Sequence, residues 1–215
     1  VDLIHRSEGV SVHAIGTPLI TNSDGTKFGK SEGNAIWLDP TMCSPYAFYQ
    51  FWLNTDDADV ATRLKVFTFL TRAEIEALEQ KVADEPFRRE AQRRLAWEVT
   101  ALVHGVDAAT AAIDASQALF GQGELGALDA ETLAAALREL PNITAPAGLT
   151  VVQALVDTGL CSSLGEARRA VAQGGVSLDN VKVADEASTI TGALPGGVSV
   201  LRRGKKTLAG IFIEG

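Results

Sequence analysis

The spacing of apolar residues divides the chain into an N-terminal part, a long helical part and a mixed C-terminal part. Near the N-terminus, V-S-V-H-A-I (residues 10–15) and P-L-I (residues 18–20) have strand composition and precede the turn signal N-S-D-G. From about residue 45 to residue 140 apolar residues recur at helical spacing, as Leu95, Val99 and Leu102 do on one face. The pattern predicts a multidomain, mainly α chain that ends in a small α+β domain.

Three helix starts are marked by hydroxyl side chains that can accept a hydrogen bond from the first turn. Ser44 is followed by Pro45, so an N-cap hydroxyl precedes a proline at the first helical position. Thr71-Arg72-Ala73-Glu74 and Ser163-Leu164-Gly165-Glu166 have the spacing of capping boxes. We therefore expect helices to begin near residues 45, 72 and 164.

Aromatic residues surround most of the circumference of the helix that follows Ser44, which is typical of a buried helix. We expect an aromatic core that contains Phe48, Phe51, Trp52, Phe67 and Phe69. His104 stands before the helix-ending Gly105, and we expect it to cap or pack that helix rather than to take part in catalysis.

The C-terminal part begins after P-N-I-T-A-P-A-G (residues 141–148), which has two prolines and no charge and is predicted to be a linker. Residues 149–215, called the tail below, start with two short helical patterns. G-G-V-S-L-D-N-V-K-V then predicts a hairpin with an Asp179-Asn180 turn, and V-S-V-L with L-A-G-I-F-I predicts a second hairpin around R-R-G-K-K.

Composition and charge narrow the functional classes. The chain has 215 residues, of which 46% are hydrophobic and 21% charged, and no apolar run is long enough to span a membrane. A net charge of −8 argues against indiscriminate binding of nucleic acid. Residues 1–147 hold 12 Lys and Arg against 21 Asp and Glu, whereas residues 148–215 hold 7 against 6. The tail is therefore the part best suited to a polyanion.

The two cysteines, Cys43 and Cys161, fit no metal-ligand spacing, and we expect no metal site and two reduced thiols rather than a bridge. Since the chain opens with neither a secretory nor a transit pattern, we expect a cytoplasmic protein.

A glycine-rich loop, T-N-S-D-G-T-K-F-G-K-S-E-G-N (residues 21–34), carries two lysines three residues apart. Ammonium groups on a glycine-hinged loop can close onto a phosphate as its charge develops during a reaction. The spacing is not that of a P-loop, and on spacing alone an exposed turn with two solvated lysines is also consistent.

The stretch G-T-K-F-G-K-S-E-G-N-A-I-W-L-D, the segment S-P-Y-A-F-Y-Q-F-W-L-N-T-D-D and the later A-Q-R-R-L-A-W-E-V-T-A-L-V-H-G closely resemble bacterial tyrosyl-tRNA synthetases. The resemblance covers essentially the whole chain. It implies the end of a Rossmann-type class I catalytic domain in residues 1–40, an α-helical anticodon-binding bundle in 41–140, a linker in 141–148 and an alpha-L RNA-binding domain in 149–215. It also implies tRNA(Tyr), tyrosine, ATP and accompanying Mg²⁺ as partners of the complete enzyme, and a homodimer.

By this resemblance, Lys27 and Lys30 neutralise the phosphates of ATP, Lys30 making the more direct contact. Gly29 gives the loop freedom to close, and Ser31 supplies a hydroxyl of lesser weight. The other signature of the family, His-Ile-Gly-His, is absent, as is the tyrosine pocket. Together with a first residue, Val1, that is not methionine, this implies the C-terminal half of such an enzyme, which alone does not activate tyrosine.

The tail resembles the alpha-L domain in S-S-L-G-E-A-R-R-A-V-A-Q-G-G-V-S-L-D-N-V-K-V. The similarity implies backbone contacts that hold RNA without reading its sequence. The residues implied are Arg168, Arg169, Lys182, Arg202, Arg203, Lys205 and Lys206. A solvated helix face is the structural alternative.

In the bundle, Arg88, Arg89, Arg93 and Arg94 either touch an anticodon arm or, as we expect, form intrahelical pairs such as Glu90–Arg94. Two other functional classes stay open: a non-enzymatic RNA-binding module that uses the tail, and a helical scaffold with an incidental lysine loop.

Overall fold

A computed structural model describes residues 1–17, 19–28, 36–120, 122–205 and 207–214. The chain forms two compact units, residues 1–36 and residues 37–215. The first unit starts with helix α1 (Asp2–Glu8), which ends at Gly9 in the left-handed conformation (φ 68°).

The strand expected near residues 10–20 is absent from the described part of this unit, so that prediction was wrong. Residues 10–17, 19 and 20 have no regular structure, and Ile15 is 95% exposed. A strand needs a partner for its backbone groups and a surface for its apolar side chains. The described residues of the unit supply only a single bridge, between Thr21 and Lys27.

Six helices of the second unit form a bundle, with 3₁₀ turns at Pro86–Arg88 and Leu125–Ala127. They are α2 (Pro45–Leu53), α3 (Asp57–Phe67), α4 (Arg72–Asp84), α5 (Glu90–His104), α6 (Val106–Leu119) and α7 (Ala130–Arg138). The predicted starts are confirmed: Ser44 Oγ accepts from Ala47 N at 3.1 Å, and Thr71 and Glu74 form a complete capping box.

The aromatic core is confirmed in part. Phe48 and Trp52 are buried and meet edge to face, with ring centroids 6.1 Å apart, and Phe67 lies 4.9 Å from Trp52. Phe69, in contrast, is 88% exposed, so its assignment to the core was wrong. Helix α3 ends at Phe67 and the backbone is extended at Thr68, so helical spacing no longer predicts which way the next side chains point.

The remaining elements are helices α8 (Val151–Asp157) and α9 (Leu164–Ala172) and a five-stranded sheet. Its strands are β1 (Asn142–Ala145), β2 (Val176–Leu178), β3 (Val181–Lys182), β4 (Val198–Arg203) and β5 (Thr207–Ile213), in the order β1-β5-β4-β2-β3. Strand β1 pairs parallel with β5, and the other neighbours are antiparallel. Both expected hairpins are present, and positive φ angles at Asp179 (51°) and Asn180 (65°) form the first turn.

Strand β1 lies inside the segment predicted as a linker. Asn142 pairs with Gly210, and Gly210 N also donates to Pro141 O at 2.9 Å. Four residues of the segment thus complete the sheet edge, which its proline-rich composition did not indicate. The domain boundaries proposed from the sequence stay predictions.

Helices cover both faces of the sheet. On one face Leu201, Ala209 and Ile211 share a buried core with residues of α8 and α9. On the other face Val200 lies opposite Gly210, and α7 packs directly against β5 at this point. The tail is therefore in contact with the bundle, which determines what some of its arginines can reach.

Candidate functional site

The lysine loop begins with a tight antiparallel turn. Asn22 N donates to Thr26 O at 2.8 Å, Thr21 bridges to Lys27, and Phe28 N donates to Ile20 O at 3.2 Å. Gly25 sits at the tip with φ 81°, a conformation that glycine adopts without steric cost. The turn presents Lys27 on a short paired arm, where its side chain is exposed.

Asp24 and Thr26 brace this turn, a feature that the sequence prediction missed. One carboxylate oxygen of Asp24 accepts from Thr26 N at 2.9 Å and from Thr26 Oγ1 at 2.6 Å. These bonds, the side-chain bond first, lower the pKa of Asp24 below its usual value. The S-D-G-T spelling of an Asx-type turn was a readable signal for this bracing.

Three of the residues predicted for the nucleotide site, Gly29, Lys30 and Ser31, lie outside the described residues. Of that group, the structure places Lys27.

Four of the predicted RNA-binding cations of the tail are exposed: Arg168, Arg169, Lys182 and Lys205. Arg168 lies 3.6 Å from Glu186, but its side chain keeps 59% of its surface accessible. A surface pair of this kind is weak and can exchange its carboxylate for a phosphate at little cost. Lys206 lies outside the described residues.

Arg203 makes contacts within the tail. Its guanidinium donates to Leu160 O at 2.5 Å and to Glu166 Oε1 at 2.7 Å. Glu166 also accepts from the hydroxyl of Ser162 at 2.6 Å and from its backbone N at 2.7 Å. The Ser162 hydroxyl, the Ser162 amide and Arg203 together lower the pKa of Glu166 to about 2.

This arrangement corrects the predicted capping box of α9. Ser163 Oγ does accept from Glu166 N at 3.3 Å, as an N-cap should. The carboxylate of Glu166, however, bonds to Ser162 instead of to the backbone of Ser163, because Arg203 of β4 draws it to that side.

Arg202 lies on the opposite face of β4 and reaches the bundle. It donates to Leu119 O at 2.6 Å and to Asn180 Oδ1 at 2.5 Å, and Asn180 Nδ2 donates to Ala118 O at 3.2 Å. Ala118 and Leu119 are the last two residues of α6. Arg202 and Arg203 thus bond to different parts of the protein because adjacent strand residues point to opposite faces.

In the bundle, intrahelical pairing is confirmed for Arg94 but with a different partner from the predicted Glu90, and Arg89 donates to the backbone carbonyl of Leu53 at 2.7 Å instead of to a carboxylate. Arg94 bonds to Glu98 at 2.7 Å, one helical turn further along, while Glu90 pairs with Lys81 of α4. The tertiary packing of α4 against α5 supplies Glu90 with a partner that no intrahelical rule includes.

A cleft of about 890 Å³ opens in the bundle among α2, α4, α5 and α6. Arg93 and Arg94 line it together with Trp97 and Tyr49, and the guanidinium of Arg94 lies 6.0 Å from the Trp97 ring centroid. An RNA strand binds through its phosphates to cations and through its bases to aromatic faces. The cleft has both, so an RNA contact by Arg93 and Arg94 stays a prediction.

His104 packs as predicted. Its ring meets Phe48 edge to face at 4.8 Å, and burial lowers its pKa. Within the described ranges, no group of three His, Cys, Asp or Glu side chains is placed to hold a metal ion, and no helix has the length and apolarity to cross a membrane.

Comparison with known proteins relates these features to a family. Residues 1–121 match the family of tRNA synthetases class I (W and Y), and residues 132–210 match the tyrosine–tRNA ligase SYY-like C-terminal domain. The tyrosine–tRNA ligase of Leifsonia xyli subsp. xyli is 68% identical over 99% of this chain and 49% of its own length. That of Streptomyces avermitilis is 53% identical over 100% of this chain and 51% of its own length.

A solved mitochondrial tyrosyl-tRNA synthetase from Aspergillus nidulans, C-terminally truncated, is 46% identical over 37% of this chain and 23% of its own, with a TM-score of 0.36. The chain spans about half the length of the curated relatives it matches. On these matches, the chain belongs to the class I tRNA synthetase family of tryptophanyl and tyrosyl enzymes, and it carries the C-terminal domain of tyrosine–tRNA ligases.

Proposed function

We propose that this chain is the C-terminal half of a tyrosine–tRNA ligase, which activates tyrosine with ATP and transfers it to tRNA(Tyr). The observation that carries the proposal is the 68% identity with a tyrosine–tRNA ligase across 99% of the chain. In this assignment residues 1–40 form the C-terminal end of a Rossmann-type catalytic domain, the bundle binds the anticodon arm and the tail binds RNA. The cytoplasmic location and the homodimer belong to the same proposal.

The lysine loop supplies positive charge to the first reaction, in which tyrosine and ATP form tyrosyl-adenylate. The carboxylate of tyrosine attacks the α-phosphate of ATP, the bond to the β-phosphate breaks, and pyrophosphate leaves with the negative charge. Lys27 and Lys30 stabilise this charge as it develops, so their effect falls on the rate rather than on substrate binding. Mg²⁺ enters with ATP as part of the substrate.

A substitution in the complete enzyme tests this role. Lys30→Ala should slow adenylate formation by about 100-fold or more, the usual effect of removing one group that stabilises a transition state. Tyrosine affinity should stay unchanged. The measurement is pre-steady-state release of pyrophosphate, and Lys65→Ala in the bundle is the control, since Lys65 pairs with Glu79 on the surface. An unchanged rate for Lys30→Ala would overturn the assignment.

The proposed RNA surface is formed by the exposed cations Arg168, Arg169, Lys182 and Lys205. Phosphate contacts of this kind make affinity fall with salt, each neutralised phosphate contributing a slope of roughly −0.7 to −0.9 in log K against log salt. The rival reading, a non-enzymatic RNA-binding module, predicts the same salt dependence but no effect of Lys30 on any reaction of the complete chain.

A further inference from the structure

We propose that Arg202 and Asn180 form a latch that holds the tail on the end of α6, so that Arg202 positions the RNA-binding surface instead of contacting a phosphate. The part that concerns RNA rests on the proposed function. The latch itself is a property of the fold and can be tested without RNA.

The latch supplies hydrogen-bond donors to the C-terminal end of helix α6. The last four carbonyls of a helix have no partner within the helix, and the helix dipole concentrates negative charge there. The Arg202 guanidinium donates to Leu119 O at 2.6 Å, and Asn180 Nδ2 donates to Ala118 O at 3.2 Å. A cation and an amide of the tail thus cap the C-terminus of a bundle helix.

A hydrogen bond between the β2–β3 turn and β4 holds the two latch residues together. Arg202 donates to Asn180 Oδ1 at 2.5 Å, which links the β2–β3 turn to β4. The neighbouring Asp179 secures the turn, because its carboxylate accepts from Val200 N at 2.7 Å and from Ser199 Oγ at 3.2 Å. These hydrogen bonds therefore fix the positions of the two groups that donate to the end of α6, the Arg202 guanidinium and the Asn180 side-chain amide.

Further contacts join the same face of the sheet to α7. Gly210 of β5 lies against Leu137, and the guanidinium of Arg138 lies 5.7 Å from the Phe212 ring centroid. The latch is therefore one edge of a wider packed contact, and loosening it should free the sheet on that side.

The latch has a consequence for RNA binding. Lys182 of β3 and Arg202 of β4 both pair with Ser177 of β2, so the three side chains lie on one face of the sheet. Exposed Lys182 therefore lies close to the contact that Arg202 makes between the tail and the bundle. While the latch holds, the tail and the bundle keep a fixed spacing. An RNA that contacts both parts therefore binds without the entropic cost of ordering one part relative to the other. Loss of the latch should weaken binding without removing any phosphate contact.

The test uses the full 215-residue chain with Arg202→Gln and, as a second variant, Asn180→Gly. Glycine keeps the positive φ of 65° at residue 180 and removes the side-chain donor. Arg169→Gln, which changes an exposed arginine of the same tail, is the matched control. Each variant is measured for amide hydrogen exchange, and for affinity to a tRNA(Tyr) transcript at several salt concentrations.

Both latch variants should show faster exchange at the end of α6, in α7 and in β4–β5, and an affinity reduced about 3- to 10-fold with the salt slope of the parent chain. Arg169→Gln should leave exchange unchanged and make the slope shallower by roughly 0.7 to 0.9. If Arg202→Gln instead lowers the slope and leaves exchange unchanged, Arg202 is a phosphate ligand and the latch is refuted.

The two proposals fail separately. A parent chain that binds no RNA contradicts the RNA role of the tail, while the exchange measurement still decides whether the latch exists. If Arg202→Gln does not fold, unchanged exchange in Asn180→Gly refutes the latch, and accelerated exchange at the end of α6 supports it.

Discussion

Gly210→Ala should loosen the contact between β5 and α7. A Cβ atom at residue 210 would lie 2.8 Å from Leu137 Cβ and 3.1 Å from Leu137 O. Carbon atoms in good contact stay about 3.5–4.0 Å apart, so α7 has to move by roughly 1 Å. Leu137 is fully buried and one of the two obstacles is backbone, which leaves little room for adjustment.

The size of the effect follows from two opposing terms. Overpacking of a well-packed core costs about 1–3 kcal/mol. Replacing glycine by alanine restricts the unfolded chain and returns about 0.4–1 kcal/mol. The free energy of unfolding should therefore fall by about 1–2 kcal/mol on balance, which corresponds to a Tm lower by roughly 2–8 °C for a chain of this size.

Urea unfolding followed by circular dichroism measures this change, with Gly165→Ala as the matched control. Gly165 lies in α9, and a Cβ atom there meets nothing within 4 Å. Alanine at that position should leave stability unchanged or raise it by up to about 1 kcal/mol, because it favours the helix. An undiminished urea midpoint for Gly210→Ala, with the control behaving as expected, would refute the packing of α7 on the sheet.

Two further predictions concern local hydrogen bonds. The pKa of Glu166 falls from 4.5 to about 2 on folding, so its ionised form stabilises the fold above pH 4.5 and that contribution is lost as pH drops toward 2. Glu166→Gln should flatten the decline of Tm across this window, and a decline as steep as in the parent chain would contradict the contribution. Thr71→Ala removes the N-cap of α4 and should lower the free energy of unfolding by about 1 kcal/mol. Thr110→Ala, an exposed mid-helix hydroxyl on α6, should change it by less than about 0.5 kcal/mol, and equal effects would argue against the cap.

Features encoded by neighbouring residues could be predicted from the sequence. Ser44 and Thr71 cap their helices because both partners of each bond lie within three residues. The Asp179-Asn180 turn is equally local, since two residues that tolerate positive φ stand between two short strands. These signals need no knowledge of the rest of the fold.

The errors fall where a distant partner decides. Phe69 is apolar but lies two residues beyond the end of α3, where the backbone is extended, and its side chain is exposed. Glu90 had Arg94 at the right helical spacing but pairs with Lys81 from another helix. Asn142–Ala145 has the composition of a linker, yet β5 offers it an open edge to pair with.

The candidate sites divide in the same way. The sequence alone identified the lysine-rich loop and the set of tail cations, because glycine content, charge and motif spelling are written in consecutive residues. Only the tertiary structure distinguished Arg202 and Arg203 from the exposed Arg168 and Arg169, since it decides which guanidinium meets a helix end, which meets Glu166 and which meets solvent. The physical reason is that a positive charge is a property of one residue, whereas its availability depends on every acceptor that the fold brings within about 3 Å of it.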